Sequence, residues 1–154
     1  LFPYTTLFRS IIAIKDGGNQ MEDTYELLFH GTAKRGGDTM AVGAVLVRGG
    51  EVVEKKGGVV SYPGNFEKAH WEAMIQGMIL AREKDVRRLI IKGDSRSVIN
   101  HMNGEPPGKE FTAMDYLKIA RDHQKDFDQC FFQYIPASQN GLAIDLARSA
   151  LEMG

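Results

Sequence analysis

The segment that decides the fold spans residues 87–104 and reads RRLIIKGDSRSVINHMNG. Its first part, RRLIIK, predicts a strand because a short apolar run is bounded by charged residues, and Gly93 ends this strand. The part from Ser95 to Met102 predicts a short helix. Asp94 therefore lies at the junction between a predicted strand and a predicted helix.

Outward from this segment, the sequence predicts four more strands and three more helices. Residues 40–48 are apolar on both faces, which is typical of a central strand, and Gly49-Gly50 predicts a hairpin to the next strand. Pro63, Gly64 and Asn65 open a helix that runs to about Lys84. The other predicted strands are 24–29, 51–61 and 130–135, and the other predicted helices are 111–127 and 139–153. A loop containing Gly31, Gly36 and Gly37 is expected after the first strand.

The element order is β-β-β-α-β-α-α-β-α. Three consecutive strands predict an antiparallel meander, and helical crossovers predict two parallel strands. The fold class is therefore α/β, with a mixed five-stranded sheet flanked by helices. Gly57-Gly58, inside the third strand, predicts a bulge or a close approach of another segment.

Composition indicates one globular domain. The chain has 154 residues, of which 43% are apolar and 25% are charged. A net charge of −1 argues against a strongly basic, non-specific nucleic-acid binder. No apolar run is long enough to span a bilayer, so no membrane association is expected. The single cysteine, Cys130, cannot form an internal disulfide and favours a buried thiol in a reducing compartment. We expect a monomer.

The first residues are interpreted separately from the domain. Residues 1–10 (LFPYTTLFRS) resemble a translated sequencing adapter, and such segments are excluded from fold reasoning. Residues 11–23 include Gly17-Gly18-Asn19-Gln20 and predict a linker. The natural start is then either Met21 or a residue of a longer parent chain. The domain is expected to span residues 24–153.

Several motifs in this span match one known family. The first is Gly93-Asp94-Ser95, continued by Val98, Asn100, Asn103 and Gly104. Residues 42–46 (VGAVL) and 135–140 (IPASQN) match two others. On these motifs, residues 24–153 resemble the ribonuclease H type 1 family. The resemblance implies an RNase H-like fold, binding of an RNA–DNA hybrid, and hydrolysis of its RNA strand with Mg²⁺ or Mn²⁺.

The resemblance also implies a set of site residues. Members of the family hold two Mg²⁺ ions with four carboxylates. The matching positions in this chain are occupied by His30, His70, Asp94 and Ile144. Asp145 follows one residue later, but one residue rotates a helix position by about 100°. Glu67 lies three residues before His70, on the same helix face, and is a candidate replacement ligand.

This substitution pattern leaves two interpretations of the site open. Imidazole is a poor Mg²⁺ ligand, so hydrolysis is expected to be weak or absent. In the first interpretation His30, His70 and Asp94 form a transition-metal site for Zn²⁺, Fe²⁺ or Ni²⁺. In the second, both histidines are neutral replacements that make ordinary polar contacts.

Nucleic-acid contacts are also altered, because Phe66-Glu67 replaces the family's Asn-Asn pair. The residues that the resemblance still offers for nucleic acid are Gly31, Lys34, Ser95, Arg96 and Asn140. Arg35 and Lys109 are further candidate cations, and the interpretation favoured for the four charges is that they are scattered and solvated. Three hypotheses follow: a hybrid ribonuclease, an inert nucleic-acid-binding module, and a structural domain or retroelement-derived fragment.

Overall fold

The computed structural model describes residues 23–36, 38–61 and 63–153, in which five strands form one mixed sheet. The spatial order of the strands is β3-β2-β1-β4-β5. Their bounds are Thr24–Ala33 (β1), Met40–Arg48 (β2), Glu51–Val60 (β3), Arg88–Gly93 (β4) and Gln129–Tyr134 (β5). The predicted adapter segment 1–10, and all of the predicted linker except Asp23, lie outside the described residues.

Four α-helices lie in the described part of the chain, at Phe66–Glu83 (α1), Arg96–Met102 (α2), Phe111–Gln124 (α3) and Gly141–Met153 (α4). Asn65 caps α1, because its Oδ1 accepts a hydrogen bond from the Lys68 amide at 2.9 Å. Ser95 caps α2 through the Val98 amide. Helix α3 ends at Gln124 rather than at the predicted Phe127, because the next amides bond to carbonyls only three residues back. A short 3-10 turn, Ala137–Gln139, precedes α4.

Strand pairing confirms the predicted α/β class. Strand β2 pairs antiparallel with β1 and with β3, while β4 pairs parallel with β1 and with β5. A register shift lies between Leu46 and Val47 rather than at the predicted glycines. The glycine pair instead shows the predicted close approach, since a Cβ on Gly57 would lie 3.0 Å from Leu146 Cδ1 of α4.

The prediction of a loop at Gly31 is wrong. Strand β1 continues to Ala33 because His30, Gly31, Thr32 and Ala33 all pair with β2. Helix α1 crosses Gly31 so closely that an added Cβ would lie 2.0 Å from the carbonyl carbon of Ala69. Glycine is required here by packing rather than by a turn, and His30 is consequently held in a strand.

The core lies on both faces of the sheet. Helix α1 packs on one face, where Leu27, Phe29 and Trp71 are fully buried. Helix α4 packs on the other face, where Ala143 joins Val45 and Val47. Met74 and Met78 are fully buried on the core face of α1. No helix among the described residues is both long and apolar enough to cross a membrane.

Candidate functional site

His30, Asp94 and His70 meet where β1, β4 and α1 converge. Because Phe29 and Gly93 are partners in the parallel β1–β4 pair, the residues that follow them are brought together. His30 Nδ1 lies 2.9 Å from Asp94 Oδ1. The His70 ring packs edge-on against the His30 ring, with their centroids 5.0 Å apart. Three positions that are far apart in sequence therefore form one polar cluster.

Asn140 holds Asp94 from the opposite side. Its Nδ2 donates to Asp94 Oδ1 at 2.7 Å and to the Phe29 carbonyl at 2.9 Å. The side chain is fully buried, between the 3-10 turn and α4. Both hydrogens on Nδ2 are donated to these acceptors. The two hydrogen bonds therefore fix the orientation of the side-chain amide. Asn140 therefore positions the Asp94 carboxylate.

The charge of Asp94 is set by this network. Burial raises the pKa of the carboxyl group, but the hydrogen bonds from His30 and Asn140 outweigh burial and lower it overall. An ionised carboxylate only accepts hydrogen bonds. The hydrogen shared between His30 and Asp94 is therefore carried by His30 Nδ1.

His70 is held in the opposite tautomer. The Gly31 backbone amide donates to His70 Nδ1 at 3.2 Å, so this nitrogen carries a lone pair. The pKa of His70 is lowered to about 4, first by burial and then by charge on His30, with Asp94 opposing both. At neutral pH His70 is therefore an uncharged imidazole whose hydrogen is on Nε2.

This arrangement predicts a loss of stability in acid. The unfolded chain takes up a proton at position 70 as the pH falls through about 6.5, whereas folded His70 resists protonation until its pKa of about 4. The free energy of unfolding should therefore fall by about 3 kcal/mol across this window. Urea unfolding at several pH values tests this. His70→Asn should flatten the profile, whereas His123→Asn on α3 should leave it unchanged, and an unchanged slope in His70→Asn would contradict the assignment.

The cluster does not fit the metals that the family resemblance implies. Mg²⁺ requires several oxygen ligands, and the cluster supplies one carboxylate, one of whose oxygens already accepts two hydrogen bonds. A transition metal would need a lone pair on His70 Nε2, but the Gly31 amide occupies Nδ1 and leaves the hydrogen on Nε2. Within the described ranges, no group of three or more His, Cys, Asp or Glu residues could hold a metal ion.

The two remaining carboxylate candidates have other surroundings in the described part of the chain. Glu67 Oε2 accepts hydrogen bonds from Trp71 Nε1 at 3.2 Å and from Ser97 Oγ at 2.9 Å, so it joins α1 to α2. Asp145 is exposed and lines a groove with Lys55 on the α4 side of the sheet. Ile144, which the sequence match predicts at the fourth family position, is buried.

The candidate nucleic-acid residues divide into occupied and accessible groups. Three of them already form hydrogen bonds within the protein: the Gly31 backbone amide, the Ser95 hydroxyl and the Asn140 side-chain amide. Lys34 and Arg96 are exposed, as are Arg35 and Lys109. The Arg96 guanidinium lies 4.0 Å from the centre of the Tyr134 ring. Sequence reasoning did not select Tyr134, whose position beside the cluster follows from its pairing with Gly93.

Cys130 lies outside the site. Its thiol is half-buried on β5, and burial raises its pKa to about 12 against the opposing charge of Arg121. The thiolate form is therefore suppressed at neutral pH, and Cys130 packs as a small apolar residue.

Comparison with known proteins identifies the family. A family model described as reverse transcriptase-like matches residues 29–150. The chain belongs to the reverse transcriptase-like family. The match to this reverse transcriptase-like domain includes His30, His70, Asp94 and Asn140. No curated protein matches the chain.

Solved structures show the fold of this reverse transcriptase-like domain. RNase H1 from the halophilic archaeon Halobacterium salinarum NRC-1 aligns with a TM-score of 0.81 and 24% identity, over 85% of this chain and 99% of that one. LC11-RNase H1 in complex with an RNA/DNA hybrid aligns with a TM-score of 0.76 and 18% identity, over 84% and 97%. The prototype foamy virus protease-reverse transcriptase aligns with a TM-score of 0.64 and 15% identity, over 82% of this chain and 20% of that one. The reverse transcriptase-like domain therefore has the RNase H-like fold.

Proposed function

We propose that this domain binds nucleic-acid duplexes, with an RNA–DNA hybrid as its preferred ligand, and that its hydrolysis of RNA is weak or absent. One observation supports the second half of the proposal above all others. One oxygen of the Asp94 carboxylate already accepts hydrogen bonds from His30 and Asn140, so protein donors occupy part of the group that metal chemistry would need. Membership of the reverse transcriptase-like family supports the first half.

The choice of ligand follows from fold and charge. Two solved structures with this fold, LC11-RNase H1 and a foamy viral protease-reverse transcriptase, contain an RNA/DNA hybrid. In this chain Arg96 begins α2, two residues after Asp94, and its stacking on Tyr134 holds the guanidinium near the cluster. Lys34 is exposed directly after β1, the strand that contains His30. Exposed cations that follow two of the strands carrying the cluster suit a phosphate backbone.

The loss of hydrolysis follows from the ligand count. Two-metal hydrolysis needs carboxylates that bring two cations to the same phosphate. Here two of the four family positions are imidazoles and a third is the buried Ile144. Glu67 does not replace the missing carboxylate ligands, because its carboxylate accepts hydrogen bonds from Trp71 and Ser97.

Binding and cleavage are tested separately on residues 21–154. Labelled hybrid is incubated in Mg²⁺ and in Mn²⁺, with Asp94→Asn as control, and we expect no cleavage above that of the control. Cleavage that disappears in Asp94→Asn would refute the loss of hydrolysis.

Binding of the same hybrid is measured by fluorescence anisotropy over a range of salt concentrations. The logarithm of the affinity should fall with log salt at a slope of about −2 to −4. Lys34→Ala and Arg96→Ala should each make the slope less steep by about 1, while Arg82→Ala, near the far end of α1, should not. Properly folded protein that binds no duplex would instead indicate a structural module.

A further inference from the structure

The dipeptide Asn-Gly occurs twice in the chain, as Asn103-Gly104 and as Asn140-Gly141. Glycine after asparagine favours deamidation, because glycine lacks a Cβ and its amide nitrogen can approach the asparagine Cγ. Asparagine is accordingly one of the thermolabile residues of proteins. The two dipeptides share this chemistry, but the fold places them in opposite surroundings.

Asn140 is protected by its place in the interior. It is fully buried, and its Nδ2 donates both to Asp94 and to the Phe29 carbonyl. Its backbone carbonyl accepts a hydrogen bond from the Ile144 amide in the first turn of α4. The Gly141 nitrogen can reach the Asn140 Cγ only after the side-chain hydrogen bonds break together. Deamidation at this position therefore requires unfolding of the surrounding structure.

Asn103 lies at an accessible end of a short helix. It is the C-cap of α2, which has 7 residues, and both Asn103 and Gly104 are exposed. Gly104 has a φ of 110°, and its amide donates to the His101 carbonyl at 3.1 Å. Hydrogen bonds at the end of a helix open locally, without global unfolding. Each such opening frees the Gly104 nitrogen to approach the Asn103 Cγ.

The Asn103 side chain makes a contact that deamidation would destroy. Its Nδ2 donates to the Phe132 backbone carbonyl at 3.0 Å. This hydrogen bond joins the end of α2 to β5, which is an edge strand of the sheet. An ionised carboxylate only accepts hydrogen bonds. Aspartate at position 103 would therefore lose the bond and place a negative charge beside the Phe132 carbonyl oxygen.

We propose that Asn103 is a site of spontaneous deamidation, and that the product releases the end of α2 from β5. The Gly104 nitrogen attacks the Asn103 Cγ, the bond between Cγ and Nδ2 breaks, and ammonia leaves with the proton of the Gly104 amide. Water then opens the resulting succinimide at one of its two carbonyls and gives aspartate or isoaspartate. The reaction needs no reagent except water, and it is independent of the proposed function.

The consequence of the modification is tested by substitution. Asn103→Asp supplies one product directly. Asn100→Asp is the matched control, because Asn100 is exposed on the same helix and the substitution adds the same charge near the same helix end. Asn103→Asp should lower the Tm by about 3 to 6 °C more than the control does. Equal Tm values for the two variants would overturn the proposed release of α2 from β5.

The modification itself is measured by ageing the full chain in mildly alkaline buffer and mapping its peptides by mass spectrometry, which reports both dipeptides in one sample. In the folded protein Asn103 should deamidate about 10-fold faster than Asn140 or more, because a helix end opens at a lower free-energy cost than the buried interior. In guanidinium chloride the two rates should become similar. The assignment is overturned by an absence of product at Asn103, by equal rates in the folded protein, or by a difference that persists in guanidinium chloride.

Discussion

A variant that combines His30→Asp, His70→Glu and Ile144→Asp is expected to gain about 10 °C in Tm on addition of Mg²⁺, whereas the unaltered chain should gain nothing. Together with Asp94, the three substitutions place four carboxylates at the positions that match the ribonuclease H type 1 pattern. Without a cation these carboxylates repel one another, and the hydrogen bond between His30 and Asp94 is lost. A cation at about 100 times its Kd would add about 2.7 kcal/mol of stability, which corresponds to roughly 10 °C for a domain of this size.

Thermal unfolding followed by circular dichroism, with and without Mg²⁺, measures this effect, and isothermal titration calorimetry measures the affinity. Adding Asp94→Asn to the variant is the control and should remove most of the gain. If the variant folds but its Tm does not respond to Mg²⁺, the four positions do not converge as the sequence match implies. A rise in the Tm of the unaltered chain would show that its cluster does accept a cation.

Gly31→Ala is expected to lower the free energy of unfolding by about 4 kcal/mol or to prevent folding. The added Cβ would lie 2.0 Å from the Ala69 carbonyl carbon and 2.4 Å from the His70 amide nitrogen. These are backbone atoms of α1, so the strain cannot be relieved by a side-chain rotation. Helix α1 must move away from β1, which breaks the Gly31–His70 hydrogen bond as well as the core packing.

Urea unfolding of the two proteins measures this loss. Gly58→Ala is the matched control, because Gly58 also lies in a strand but no atom lies within 4 Å of its added Cβ. The control should change stability by less than about 1 kcal/mol. Equal effects at the two glycines would contradict the close approach of α1 to β1.

Much of the fold could be predicted because its signals are local. The apolar run of β4, the Ser95 cap of α2 and the glycine pair between β2 and β3 are each encoded by neighbouring residues. The end of β1 could not be predicted in this way. Gly31-Thr32-Ala33 has no strand pattern of its own, and it is extended because β2 lies beside it. The end of α3 was likewise placed three residues too late, since Phe127 is buried and continues the apolar spacing without continuing the helix.

The sequence by itself determined the α/β class and the order of the elements, and it led to the prediction that His30, His70 and Ile144 stand at family carboxylate positions. Only the tertiary structure decided which partners these side chains meet. The hydrogen bonds of the cluster join residues that are 64, 46 and 39 positions apart, so they depend on strand register and on the seating of α1. The helical spacing predicted that Glu67 lies on the same helix face as His70. Its carboxylate instead accepts hydrogen bonds from Trp71 and from Ser97 of α2. Periodicity and capping report on residues that are neighbours in the chain, whereas the partner and tautomer of a half-buried side chain are set by whichever donors and acceptors packing brings to it.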